Sequence, residues 1–252
     1  LDVLKVNNLI KEYISRAVIT KAINNINIIV EKNEFVAIMG ASGSGKTTLL
    51  NMLSGIDKPT SGSIEISGED ISKMNKDKLA LFRRKHIGFV FQEFNLLDSL
   101  SVKDNIMLPM ALEEVEEDEI YKRLDELAKN FDIEETLDKY PYEISGGQQQ
   151  RVAICRAIAN SPNIIFADEP TGNLDSKSSK KVMTSFEKLN EINKATILMV
   201  THDSLAASYC KRVIFIKDGI IDREIRRNGS KHEFLDEILT SIAAIGGQED
   251  EL

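Results

Sequence analysis

The chain has 252 residues, 42% of them hydrophobic and 29% charged, with a formal net charge of −8 at pH 7. That length suits one large α/β domain, or a core with a smaller insert, and the composition is that of an ordinary globular protein. The acidic balance argues against a general nucleic-acid binder, and no stretch approaches the roughly 18 apolar residues that would cross a bilayer. Two cysteines, Cys155 and Cys210, lie far apart and outside any C-x-x-C pair. They read as buried thiols in a reducing compartment. No basic-then-apolar leader opens the chain, so the expectation is a cytoplasmic protein, and any membrane role must come through a partner.

Residues 2–7 and 23–30 alternate apolar and polar, notably at Ile26, Ile28 and Val30, which predicts antiparallel strands. Tyr13 lies between them and suits either a purine stack or the core. The apolar run Phe35–Met39 predicts a buried strand, and Thr48–Leu53 the first turns of a helix. Between them stands Gly40-Ala41-Ser42-Gly43-Ser44-Gly45-Lys46-Thr47, which fits G-x-x-x-x-G-K-[ST] at every fixed position. Strand, glycine-rich loop and helix together make a phosphate cradle. The glycines let successive N–H groups face inward, and the helix N-terminus adds partial positive charge. Lys46 can reach the β- and γ-phosphates and Thr47 can ligate Mg²⁺, so the motif predicts a nucleoside-triphosphate site.

A turn at 58–62 precedes a short predicted strand, Ser63–Ser67, and Asp77–Arg84 reads as a helix. The run Ile87–Phe91 reads as a buried strand ending at Gln92, which suits either a ligand in an α/β crevice or a solvated loop. From Ser101 to Tyr140 the pattern is mostly helical, and the acidic block 113–119 opens a helix over 117–130 as a solvated face. Residues of about 93–160 therefore read as a helical insert. The insert closes on Ser145-Gly146-Gly147-Gln148, where Ser145 suits an N-cap and the glycines leave the helix end open to an anion. One nucleotide is not easily wrapped by two such helix ends about a hundred residues apart within one compact subunit.

The strand 163–169 ends in Asp168-Glu169, with Asp168 suited to Mg²⁺ and Glu169 to the attacking water. Asp175 then caps a predicted helix, Ser176–Asn190. Another buried strand, Ala195–Val200, leads to His202, read as a γ-phosphate contact. His86 and His232 have no such context. Asp218-Gly219 predicts a hairpin turn between strands 213–217 and 220–227. A helix over 231–245, with Phe234, Leu235, Ile238, Leu239 and Ile242 on one face, and an acidic tail, 248–252, close the chain.

The ordered set of phosphate loop, Gln92, Ser145–Gln148, Asp168-Glu169, Asp175 and His202 resembles the ATP-binding subunits of ABC transporters over almost the whole chain. The details resemble the lipoprotein-releasing, macrolide-export and cell-division group. The segment from Lys231 to Leu239 is similar to bacitracin-type antimicrobial-peptide resistance ATPases. Two departures, Ala41 where proline is common and Ile144 where leucine is usual, touch no ligand-binding side chain.

The resemblance implies an α/β fold, with a P-loop nucleotide-hydrolase core of mainly parallel sheet and an N-terminal antiparallel β subdomain. It implies an ATPase domain over 1–227, including the helical insert, and a C-terminal helix and tail over 228–252. It implies a head-to-tail homodimer in which each ATP lies between one phosphate loop and the partner's signature helix. Adenine would stack on Tyr13, the phosphates would sit in residues 40–48, including Thr48, and Mg²⁺ would be held by Thr47, Gln92 and Asp168. Glu169 would act as base, with Lys46, His202 and Gln92 as further catalytic groups and Asp175 beside the nucleotide. An integral membrane permease would be the second partner, holding the ATPase on the inner face of the membrane.

The leading function is thus to power a permease, for antimicrobial-peptide resistance or export. A cell-division or signalling ATPase, which opens and closes a membrane complex without moving cargo, is the alternative. A soluble ABC protein of translation or DNA repair fits less well. Those carry two cassettes or a long coiled coil, whereas only about fifty residues separate Gln92 from Ser145 here.

Overall fold

The computed structural model describes residues 1–15 and 18–246. Two long antiparallel strands open the chain, β1 (Asp2–Ser15) and β2 (Val18–Glu31). Next come β3 (Phe35–Met39), α1 (Lys46–Leu53), β4 (Ser61–Ile66), β5 (Glu69–Asp70), α2 (Lys76–His86) and β6 (Ile87–Val90). Three helices follow, α3 (Val102–Leu112), α4 (Glu117–Asn130) and α5 (Gly146–Ile158). The chain returns through β7 (Ile164–Asp168), α6 (Ser176–Glu191), β8 (Ile197–Val200), α7 (Ser204–Ala207), β9 (Arg212–Lys217) and β10 (Ile220–Arg226). It closes on α8 (Lys231–Gly246).

Among the described residues the strands form two sheets. One is antiparallel, in the order β2-β1-β4-β5. The main sheet runs β10-β9-β3-β8-β7-β6 and is parallel except for β10. Its inner strands β3, β8 and β7 are apolar runs because both faces of the sheet are covered there, whereas the edge strand β10 alternates and is not buried. Side chains alternate across a strand, so Phe35, Ala37 and Met39 join a core shared with α3, α4, α5, α6 and α8. Val36 and Ile38 point the other way, into a core shared with α1, α2 and the antiparallel sheet. The same division runs through β7, where Ile165 and Ala167 oppose Ile164 and Phe166.

The antiparallel strands run further than their alternation suggests. Asn8 (φ 48°) and Asn25 (φ 57°) turn left-handed where the register shifts, so faces slip while pairing continues. Strand β4 likewise begins two residues before the predicted Ser63, because Ser61 already pairs with Ile10. The apolar face predicted for α8 is divided. Phe234 and Ile238 are buried with Ser241, whereas Leu239 and Ile242 are exposed. A helix laid along α7 hides only a narrow stripe. The predicted tail, 248–252, lies outside the described residues.

At the amino edge of the main sheet, Arg212 ties the layers together. Its guanidinium donates to the Ile29 carbonyl of β2 (2.7 Å) and to Glu224 of β10 (2.6 Å), and it lies 3.4 Å from Glu34. The side chain is 9% exposed, and truncation leaves Glu34 and Glu224 only the more exposed Arg226, at 3.5 and 3.4 Å. Arg212→Ala should lower unfolding free energy by about 3 kcal/mol in denaturant titration. ATP affinity should be unchanged, because the site lies at the opposite edge.

Candidate active site

Parallel strands share a carboxyl edge, and four of them deliver polar residues there. The register aligns Ile38 of β3 with Val200 of β8, Val200 with Asp168 of β7, and Ala167 with Val90 of β6. The loop after β3, Asp168-Glu169, Thr201-His202 and Gln92 consequently leave the sheet side by side. Gly45, the residue before α1, has φ 101°, and a Cβ there would meet the Ala22 carbonyl oxygen of β2 at 2.4 Å. The loop is therefore wedged against β2, and the Ser44 carbonyl also accepts from Gly219 N–H (3.1 Å) in the β9–β10 turn.

Within the loop, Lys46 is buried and its Nζ donates to the carbonyls of Gly40 (2.9 Å) and Ala41 (2.8 Å). Burial lowers its pKa, against the opposing pull of the Glu169 and Asp168 carboxylates. Ser44 Oγ is buried with no hydrogen-bond partner among the described residues, while Thr47 is exposed and Thr48 half-buried at the start of α1. Ala41, Ser42 and Gly43 are exposed.

Burial raises the Asp168 pKa, helped by the neighbouring Glu169 charge and opposed by Lys46. Its Oδ1 is buried and unpartnered. A desolvated carboxylate oxygen beside a threonine-bearing phosphate loop is a donor set that fits a hard divalent cation. Glu169 has left-handed backbone (φ 43°), held by its N–H to Val200 O (2.9 Å) and by its own carbonyl accepting from Gly172 N–H (2.9 Å). Such a conformation persists where the surroundings over-determine it, and here it turns the carboxylate onto His202 Nδ1. The imidazole is 67% exposed, so its other nitrogen is free to face a ligand.

Gln92 lies at the same edge but is engaged elsewhere. Its Nε2 is 3.4 Å from Asn173 Oδ1, and Asn173 Nδ2 donates back to the Gln92 carbonyl (3.3 Å). Asp175 caps α6 through the N–H groups of Lys177 (2.9 Å) and Ser178 (3.0 Å). A side-chain hydrogen bond from Ser178, together with these backbone bonds, holds its carboxyl below the usual range.

The second anion-receptive helix end has other neighbours. Ser145 caps α5, with Gln148 Oε1 accepting from Ser145 N–H (2.9 Å) in a reciprocal box. Gly146 faces Phe94 and Leu174, and a Cβ on Gly147 would stand 2.9 Å from Ser178. Tyr13 lies on β1 opposite Thr20, near the strand segment that touches Gly45, and is 45% exposed.

Two residues not singled out in the sequence organise this edge. Gln150 is fully buried and donates to the carbonyls of Phe91 (3.3 Å) and Pro170 (2.7 Å). Arg156 donates to Phe94 (2.9 Å) and Asn95 (2.6 Å) carbonyls and so braces the segment after Gln92. Both lie on α5 behind the glycine pair, where a polar residue on an otherwise apolar helix face is the available signal.

The sequence profile of the family described as ABC transporter matches residues 23–172. The chain is 52% identical over 249 residues to the ABC transporter ATP-binding protein YvcR of Bacillus subtilis, covering 98% of this chain and 96% of the relative. It is 48% identical over 250 residues to the bacitracin export ATP-binding protein BceA of Halalkalibacterium halodurans, covering 99% of each. The dimeric post-hydrolysis structure of the ATP-binding cassette MJ0796 of Methanocaldococcus jannaschii, bound to ADP and Pi, superposes with a TM-score of 0.82. That match is 42% identical and covers 90% of this chain and 99% of the other.

The raised Asp168 pKa carries a stability consequence. Between the ordinary aspartate pKa of about 4 and the raised native value, the folded chain binds more protons than the unfolded one, so stability falls as pH rises. Asp168→Asn removes that penalty. Without nucleotide, the variant should melt above the parent at neutral pH in scanning calorimetry. The difference should close below about pH 4.

Proposed function

Since this chain belongs to the ABC transporter family as an ATP-binding and ATP-hydrolysing subunit, we propose that two copies close head to tail on ATP and drive a permease of the bacitracin-resistance type. One observation carries the dimer: the phosphate loop and the Ser145–Gln148 helix end have different neighbours within a single chain. A second copy is what brings one onto the other.

In this reading adenine stacks on Tyr13, and the phosphates take the inward N–H groups of residues 40–48. Lys46 exchanges its bonds with the Gly40 and Ala41 carbonyls for phosphate oxygens. Thr47 and Asp168 would hold Mg²⁺, joined by Gln92 once it leaves Asn173, and the ion would supply charge that neutralises the phosphates. Ser145, Gly146, Gly147 and Gln148 of the second copy cover the γ-phosphate, with Asp175 near the junction. Glu169 takes the proton of the attacking water. Lys46 and His202 stabilise charge on the transferring phosphoryl group.

A cleft of about 380 Å³ between the β6 edge and the helices α3 and α5 supports the permease contact. Phe89, Phe91, Leu108 and Leu112 line it with Arg84 and Arg156, an apolar floor with basic margins. No helix among the described residues is long and apolar enough to cross a membrane. In this reading the apolar cleft takes an integral partner that holds the ATPase to the membrane's inner face. Similarity to the bacitracin export protein over nearly the full length of both chains supports peptide resistance as the task.

Glu169→Gln keeps the side-chain shape and removes the base. It should bind ATP, elute as a dimer with ATP present, and hydrolyse about 10²- to 10⁴-fold more slowly. Near-normal turnover would sink the assignment of Glu169. In a host lacking the gene, the parent chain should restore bacitracin tolerance and Glu169→Gln should not. Unchanged tolerance on deletion would overturn the peptide-resistance reading while leaving the ATPase intact.

A further inference from the structure

The turn after α1 reaches back to β1 through a charged cluster that the proposed mechanism leaves unused. Lys11 Nζ is 2.9 Å from Asp57 Oδ1 and 2.8 Å from Oδ2, and donates to the Lys58 carbonyl at 2.7 Å. The Lys11 side chain is only 12% exposed, so this ammonium is held in place rather than waving in solvent. It stands 5.0 Å from the centroid of the Tyr13 ring, over one face. The Tyr13 hydroxyl meets Asp57 Oδ2 at 3.2 Å. Two further bonds fasten the turn to the strand: Thr60 N–H to the Ile10 carbonyl (2.9 Å) and Glu12 N–H to Thr60 Oγ1 (3.0 Å).

A tyrosine ring on an exposed strand would ordinarily swing about its χ angles. Here its hydroxyl is tied to one carboxylate, and one face is covered by the cation tied to that same carboxylate. The residue stays 45% exposed, which leaves ring surface for a base at a fixed angle. Asp57 also closes the segment that begins at the phosphate loop, since α1 starts at Lys46 and the chain turns back at Ile56 and Asp57. One stretch of chain thereby sets both the phosphate cradle and the aromatic platform.

We propose that Asp57 and Lys11 are positioning residues for the Tyr13 platform, fixing the affinity of the site for the purine of the nucleotide without touching it. The inference rests on the reading that Tyr13 stacks on adenine. It extends that reading from one residue to a three-residue device formed between β1 and the turn after α1. The alternative for Asp57 is purely structural, a carboxylate that caps its turn through Lys58 N–H (2.7 Å). The two differ in what they do to a ligand that has phosphates but no base.

The test uses the full chain and two probes, MgATP and inorganic tripolyphosphate. Asp57→Ala should raise the KM for ATP about 3- to 10-fold, the loss of roughly one hydrogen bond's worth of ordering, with kcat at saturation unchanged. Its Kd for tripolyphosphate should stay at the parent value. Tyr13→Ala should weaken ATP by more, and adding Asp57→Ala to it should change nothing further. Tyr13→Phe removes only the hydroxyl tie, so it tests the device even if Asp57→Ala folds poorly; it should raise the KM for ATP and spare tripolyphosphate. Equal weakening of ATP and tripolyphosphate by Asp57→Ala, or additivity with Tyr13→Ala, would overturn the proposal in favour of the structural role. If Tyr13→Ala leaves ATP binding intact, the stacking reading itself fails, and the proposal fails with it.

Discussion

Both faces of the main sheet are sealed over its inner strands β3, β8 and β7, and the placement of the polar residues follows from that constraint. A strand such as Phe35–Met39 has no side chain to spare for solvent, because alternate residues feed two separate cores. Polar chemistry can emerge only where the strands stop. Four parallel strands stop along one edge, and Lys46, Asp168, Glu169, His202 and Gln92 gather there although they are far apart in sequence. Electrostatics at that edge are sharpened by the same burial. Asp168 is pushed toward its neutral form and Lys46 away from its charged one, each partly rescued by the other.

Much of this was legible in the amino-acid sequence, for physical reasons that differ from element to element. Uninterrupted apolar runs ending in Asp168-Glu169 or Thr201-His202 mark strands covered on both sides, and the carboxyl ends of such strands are where ligands collect. Ser145 and Asp175 announce helix starts because a side-chain acceptor at that position satisfies the first free N–H groups. Asp218-Gly219 announces a hairpin because two left-handed residues are needed, and they have φ 49° and 76°.

Other features were hidden because nothing local encodes them. The extent of β1 and β2 is obscured where asparagines turn left-handed and slip the register, since pattern reading depends on strict alternation. The α8 surface could not be divided in advance, because which apolar residues are covered depends on the tilt of the helix across α7. Gln150 and Arg156 read as surface-type residues, yet they lie against backbone carbonyls of the loop that holds Gln92. Gln92 itself illustrates the limit. Its position past a strand is visible in sequence, but its partner Asn173 comes from a turn eighty-one residues away.

The fully buried amide of Gln150 gives the molecule a mechanical property. One Nε2 group holds both the Phe91 carbonyl, at the floor of the cleft, and the Pro170 carbonyl, one residue past Glu169. Its own helix begins at Ser145, the cap of the second anion-receptive end. A load applied at the cleft would fall on a bond shared by three parts: the cleft floor, the turn that carries Glu169 and the helix that, in the proposed dimer, meets the other copy. Such a joint resists sliding of one part past another but lets all three tilt together. On the proposed function, force at the cleft and closure on ATP would be two ends of one lever.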